Sequence, residues 1–72
     1  MKIDVFGVIY DLMQEKLANN IRPPMIPIVE IYKKLCPKGF TLEHIQREIN
    51  KEMEAGRIGR SRGINGDLYY IE

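Results

Sequence analysis

Apolar residues recur in the first third of the chain at Phe6, Ile9, Tyr10, Met13 and Leu17, the spacing of one helical face. Asp4 supplies an N-cap ahead of Val5, and Asn19-Asn20 followed by Pro23-Pro24 ends the run. A helix is therefore predicted over about residues 5–19. Val5, Val8 and Leu12 widen its apolar arc to about 200° of the wheel, well beyond the roughly 100° stripe that a surface helix buries. A second helix is predicted over about 27–36. Pro27 suits its first turn, and Ile28, Ile31, Tyr32 and Leu35 make its inner stripe. Glu30 is spaced to pair with Lys33 and Lys34 on the outside. Pro37-Lys38-Gly39 reads as a turn.

The third helix, about 42–55, has the clearest start. Thr41 is a good N-cap, and Phe40 and Ile45 have the spacing of a hydrophobic staple. Leu42, Ile45, Ile49 and Met53 form a narrow inward stripe, and Gly56 suits the left-handed residue that stops the helix. Residues 57–71 read as a β-hairpin. Its strands are Arg57–Arg60 and Asp67–Ile71, and the turn-forming segment Ser61–Gly66 joins them. Along the second strand, Tyr69 and Tyr70 fall on opposite faces, one toward the core and one outward.

The fold class expected is mainly α with a small β-hairpin, in one domain spanning 1–72. A length of 72 residues allows no more than one domain, and 44% hydrophobic with 29% charged residues argues for a folded one. Cys36 is the sole cysteine, so no disulfide framework exists, and one Cys and one His do not make a zinc set. Cys36 is expected to be a small core residue. Nothing calls for a metal or cofactor. His44 has no partner in sequence for nucleophilic or acid–base work, so no enzymatic activity is expected. No apolar run is long enough to span a membrane, and the early charge at Lys2 and Asp4 does not suit a secretory signal. With a lone thiol, the expected compartment is the cytoplasm.

The order helix, helix, short turn, helix, hairpin resembles a winged helix-turn-helix domain. The run from Thr41 to Ile58 looks like the third helix and first wing strand of winged-helix regulators, and Tyr69-Tyr70-Ile71 looks like their closing strand. From Pro23-Pro24 to Ile71 the layout is similar to the DNA-binding domain of LexA-type repressors. The resemblance implies a three-helix winged domain whose third helix enters the major groove of DNA. It departs in the acidity of that helix, which carries Glu43, Glu48, Glu52 and Glu54.

Opposite the inner stripe of the third helix lie His44, Arg47, Glu48 and Lys51, spaced as one exposed row. Arg47 is the type that bonds bidentately to guanine, Glu48 accepts from the cytosine amine, and Lys51 and Thr41 suit phosphate. The same row reads equally as a solvated face laced with ion pairs, since Glu43 and Arg47 are four apart. The net charge is +1, so electrostatic binding would need local clustering. Arg57, Arg60 and Arg62 supply one, with no acid between residues 57 and 66. The leading expectation is a small duplex-DNA-binding protein, a transcription regulator or accessory factor. The other is a winged-helix protein-interaction module that does not bind DNA. The surplus apolar positions Val5, Val8 and Leu12 are expected to form a homodimer interface, the alternative being that the N-terminal segment or the wing covers them.

Overall fold

The computed structural model describes residues 3–72. Three helices and a three-stranded antiparallel sheet surround one core. Helix α1 covers Val5–Ala18, and Asp4 caps it by accepting a hydrogen bond from the Gly7 amide at 2.9 Å. The same Asp4 carboxylate would collide with a Cβ on Gly7, so the cap and the glycine go together. Asn20, at φ 59°, turns the chain out of the helix. The Asn20 amide then donates to the Leu17 carbonyl at 3.1 Å and the Ile21 amide to Lys16 at 2.9 Å. These two bonds satisfy carbonyls that the helix end leaves orphaned.

Strand β1 is only Ile26–Pro27, helix α2 is Ile28–Leu35, and a 3-10 turn follows at Cys36–Lys38. Gly39, at φ 97°, closes that turn. Pro27 therefore stands just outside α2 in extended geometry instead of in its first turn, and Cys36 is exposed instead of buried. Helix α3 covers Leu42–Glu54, and Thr41 accepts a hydrogen bond from the His44 amide at 3.1 Å. Its end repeats the logic of α1. Gly56 sits at φ 77°, its amide bonds Met53 at 3.0 Å, and the Arg57 amide bonds Glu52 at 3.1 Å.

Strands β2, Ile58–Gly63, and β3, Gly66–Ile71, form a ribbon longer than the sequence pattern suggests. Its turn is Ile64-Asn65, with Gly63 paired to Gly66, and Gly66 takes φ 125°. The sheet is three-stranded, in the order β1-β3-β2, where the sequence predicts a hairpin alone. Two residues are too few to show the alternation that marks a strand, and one of them is a proline, which only an edge position tolerates. β1 is that edge, pairing Ile26 with Tyr69 and Pro27 with Leu68.

The core gathers Val5, Ile9 and Leu12 from α1, Ile31 and Leu35 from α2, Ile45 and Ile49 from α3, and Ile26, Ile58 and Tyr69 from the sheet. Val5 and Leu12 are 3% and 5% exposed, so they belong to this core and not to a dimer surface, while Val8 is half-buried at its margin. The wide arc of α1 is used within one chain because α1 packs against both other helices and against β1 and β3. Leu42, expected inside, is 53% exposed, so the buried stripe of α3 is Ile45 and Ile49 with Met53 partly covered. Leu42 is the first residue of α3, at the end of the helix.

Tyr69 is fully buried, and its hydroxyl is the one buried side-chain polar atom without a hydrogen-bond partner among the described residues. Burial, then neighbouring Tyr69, then Cys36 push the Tyr32 hydroxyl above its usual range. An unsatisfied buried hydroxyl costs about 1–3 kcal/mol. Tyr69→Phe keeps the ring and removes that atom. It is expected to leave stability unchanged or raise it by about 1 kcal/mol, read as the urea midpoint. A loss above that size would mean that the hydroxyl has a partner.

Candidate functional site

With Ile45 and Ile49 buried, the opposite side of α3 is turned outward. Arg47 and Lys51 side chains are 61% and 65% exposed, and His44 and Glu48 lie between them and the core. The four residues expected to form a row do share this face, but they are engaged with carboxylates. Arg47 Nη2 is 3.3 Å from Glu43 Oε1, Lys51 Nζ is 3.5 Å from Glu48 Oε2, and His44 Nε2 is 3.8 Å from Glu48 Oε1. The last contact is an ion pair only when the imidazole is protonated. Exposed pairs of this kind are worth no more than about 1 kcal/mol, so they rearrange readily for a stronger partner.

The start of α3 is built for stability. Thr41 spends its hydroxyl on the cap, and Phe40 packs edge-on against the His44 ring at 5.6 Å and 75°. His44 is thereby held on the α3 face by an aromatic neighbour and a carboxylate.

The arginine cluster is less free than the sequence implies. The Arg57 guanidinium donates to Glu52, whose hydrogen bond and then its charge hold Arg57 above its already high range. Arg60 Nη1 lies 3.9 Å from Asp67 Oδ2, and Arg62 has no carboxylate within ion-pair distance among the described residues. Both acids lie just outside the acid-free stretch 57–66. A signal for Glu52 does exist, because a glycine stop of the type at Gly56 folds the residue after it back toward the residue five earlier. Asp67 becomes legible once the turn is placed at Ile64-Asn65, which sets Asp67 directly across from Arg62.

The register also orients the ribbon. Ile58, Arg60 and Arg62 alternate with Gly59, Ser61 and Gly63, and Ile58 and Arg60 pair with Ile71 and Tyr69. Arg60 and Arg62 thus share the sheet face of buried Ile58 and Tyr69, the face turned to the helices, and continue it past the end of the core. The other face carries Tyr70 close over Gly59, where a Cβ would meet the tyrosine ring. At the ribbon tip Ile64 is fully exposed, and with half-exposed Val29 it flanks an apolar groove of about 280 Å3 that includes Pro27, Ile28 and Leu68.

Among the described residues no cluster of His, Cys, Asp and Glu can hold a metal ion, and no helix is long and apolar enough to cross a membrane. No family model, no curated protein and no solved structure matches this chain.

Proposed function

We propose that this chain is a winged helix-turn-helix domain that binds duplex DNA as a small transcription regulator or accessory factor in the cytoplasm. In this reading α2, the 3-10 turn and α3 are the helix-turn-helix, and the β2–β3 ribbon is the wing. The observation that carries it is the continuity of α3 with the ribbon. A helix with one buried face and exposed Arg47 and Lys51 runs, through the Gly56 stop, into strands whose Arg60 and Arg62 emerge on the helix side of the sheet. A major groove accepts a helix, and flanking phosphates accept the arginines. His44, Arg47 and Glu48 are the base-reading candidates, with Lys51, Thr41 and Arg57 nearer the backbone. Leu42, exposed at the start of α3, has the chemistry to meet a thymine methyl group.

Fluorescence anisotropy with a random-sequence duplex at low salt tests the reading. Affinity tighter than tens of micromolar that falls as salt is raised supports it, and no binding at that concentration removes it. The ion pairs on α3 add a sharper expectation. Glu43→Gln frees Arg47 and takes one negative charge from the DNA-facing side, so binding should tighten several-fold, or roughly 1 kcal/mol. Unchanged affinity in Glu43→Gln would place α3 away from DNA.

A second reading, a winged-helix module that docks a protein, is favoured by the apolar tip and groove around Ile64 and Val29. It predicts that Ile64→Ser abolishes partner binding while salt-dependent DNA binding is absent.

A further inference from the structure

We propose that His44 makes the binding of duplex DNA by α3 depend on pH, affinity rising as the imidazole takes up a proton, a control that rests on the nucleic-acid reading above. His44 is the sole histidine of the chain. Imidazole is the side chain whose charge ordinarily changes between about pH 5 and 8. Carboxylates titrate below that window, and thiols and phenols above it. His44 is the third residue of α3, and its backbone amide is the one that Thr41 caps. In helix-turn-helix docking, the first residues of the second helix are those that meet base edges. The His44 side chain is 39% exposed, so its ring reaches that surface.

The charges around His44 balance without it. Arg47 is paired with Glu43, Lys51 with Glu48, and Glu52 with Arg57. Glu54 makes no ion pair among the described residues and lies about 15 Å further along the helix. α1, α2 and β2 pack against α3 and bring no carboxylate within ion-pair distance of the imidazole among the described residues. The turn before α3 brings the uncharged Phe40 ring. A proton on His44 therefore turns this end of α3 from balanced to positive. Glu48 Oε1, 3.8 Å from Nε2, is the carboxylate that the imidazolium meets, and its other oxygen already faces Lys51. Two cations on one carboxylate leave a positive charge to spare for a phosphate or a guanine edge. The sign follows from the phosphates: a nearby anion favours the charged imidazole, so binding DNA takes up a proton and strengthens as pH falls.

Fluorescence anisotropy of the full chain with a random-sequence duplex, at one ionic strength and from about pH 7.5 to about pH 5.5, tests it. Affinity of the parent should rise about three- to fivefold over that range. Its logarithmic salt slope should be steeper at the acid end by up to about 0.9. His44→Gln keeps the capped amide and loses the titrating ring, so its affinity should not change with pH. His44→Lys carries a fixed charge and should bind tightly throughout. Circular dichroism at both ends of the range should show the three proteins equally folded. Proton NMR of the parent needs no variant, because one histidine gives one unambiguous ring signal. The midpoint of its titration should move to higher pH when the duplex is added. Parent affinity that is flat with pH, the parent's full pH dependence in a folded His44→Gln, or an unmoved ring midpoint in the bound protein overturns the proposal and leaves the nucleic-acid reading standing. Absence of binding by the parent at every pH removes that reading and the proposal with it.

Discussion

Ile45→Ala is expected to unfold most of the protein at 37 °C, while Leu42→Ala three residues earlier leaves it folded. Ile45 is fully buried beneath α1 and beside Ile49, whereas Leu42 is 53% exposed at the first position of α3. Truncating a buried isoleucine removes its transfer free energy and leaves a cavity that a packed core only partly closes, about 2–5 kcal/mol together. A core in a chain of this size supplies only about 3–5 kcal/mol of net stability, so the loss is comparable to the whole. Leu42→Ala deletes side-chain atoms that are mostly in water and keeps a good helix former, so its effect should stay near 0.5 kcal/mol. Thermal melts by circular dichroism separate the two. Equal destabilisation by both variants would mean that α3 is rotated toward the arrangement the sequence pattern suggests.

The second large effect concerns binding. Under the nucleic-acid reading, Arg60→Ala with Arg62→Ala should lower affinity for any duplex by roughly ten- to a hundredfold at low salt. The logarithmic salt slope should fall by about 1.8, since each phosphate contact contributes about 0.9. The single variants should differ. Arg62 makes no ion pair among the described residues, although Asp67 stands across the ribbon from it, so its removal should show close to the full 0.9 or so, whereas Arg60 must first leave Asp67 and should show less. Asp67→Asn should accordingly strengthen binding in the parent, and less so once Arg60 is gone, since Asp67 still faces Arg62. Both arginines lie beyond the core, and their removal should leave the melting temperature within the range of ordinary surface substitutions. An unchanged salt slope in the double variant would exclude the ribbon from contact with phosphate.

Much of the frame is legible in local chemistry. Asp4 and Thr41 cap the helices they precede, and Gly56 stops α3, because each of these depends on a few adjacent backbone groups and one side chain. Asn20 ends α1 in the same way, and Ile45 and Ile49 face inward as a helical period requires. His44, Arg47, Glu48 and Lys51 share the outer side of α3, as their spacing implies, with Glu48 the most covered of the four. What the pattern missed is partnership. Arg57 looks unopposed until the helix stop folds it back on Glu52, and Arg60 looks unopposed until the turn at Ile64-Asn65 sets the register with Asp67.

Local chemistry is enough to place the helix ends and the inward residues of α2 and α3, Leu42 excepted, because caps, stops and periodicity act over distances of about one helical turn. Only the closed chain shows that Ile26–Pro27 joins the sheet, that Val5 and Leu12 are consumed by the core, and that Tyr10 is left largely exposed on α1 with Phe6 and Val8 half-buried. Those outcomes depend on how many neighbours α1 acquires once the chain is closed on itself. A wide apolar arc has the same pattern in sequence whether the sheet or a second molecule covers it.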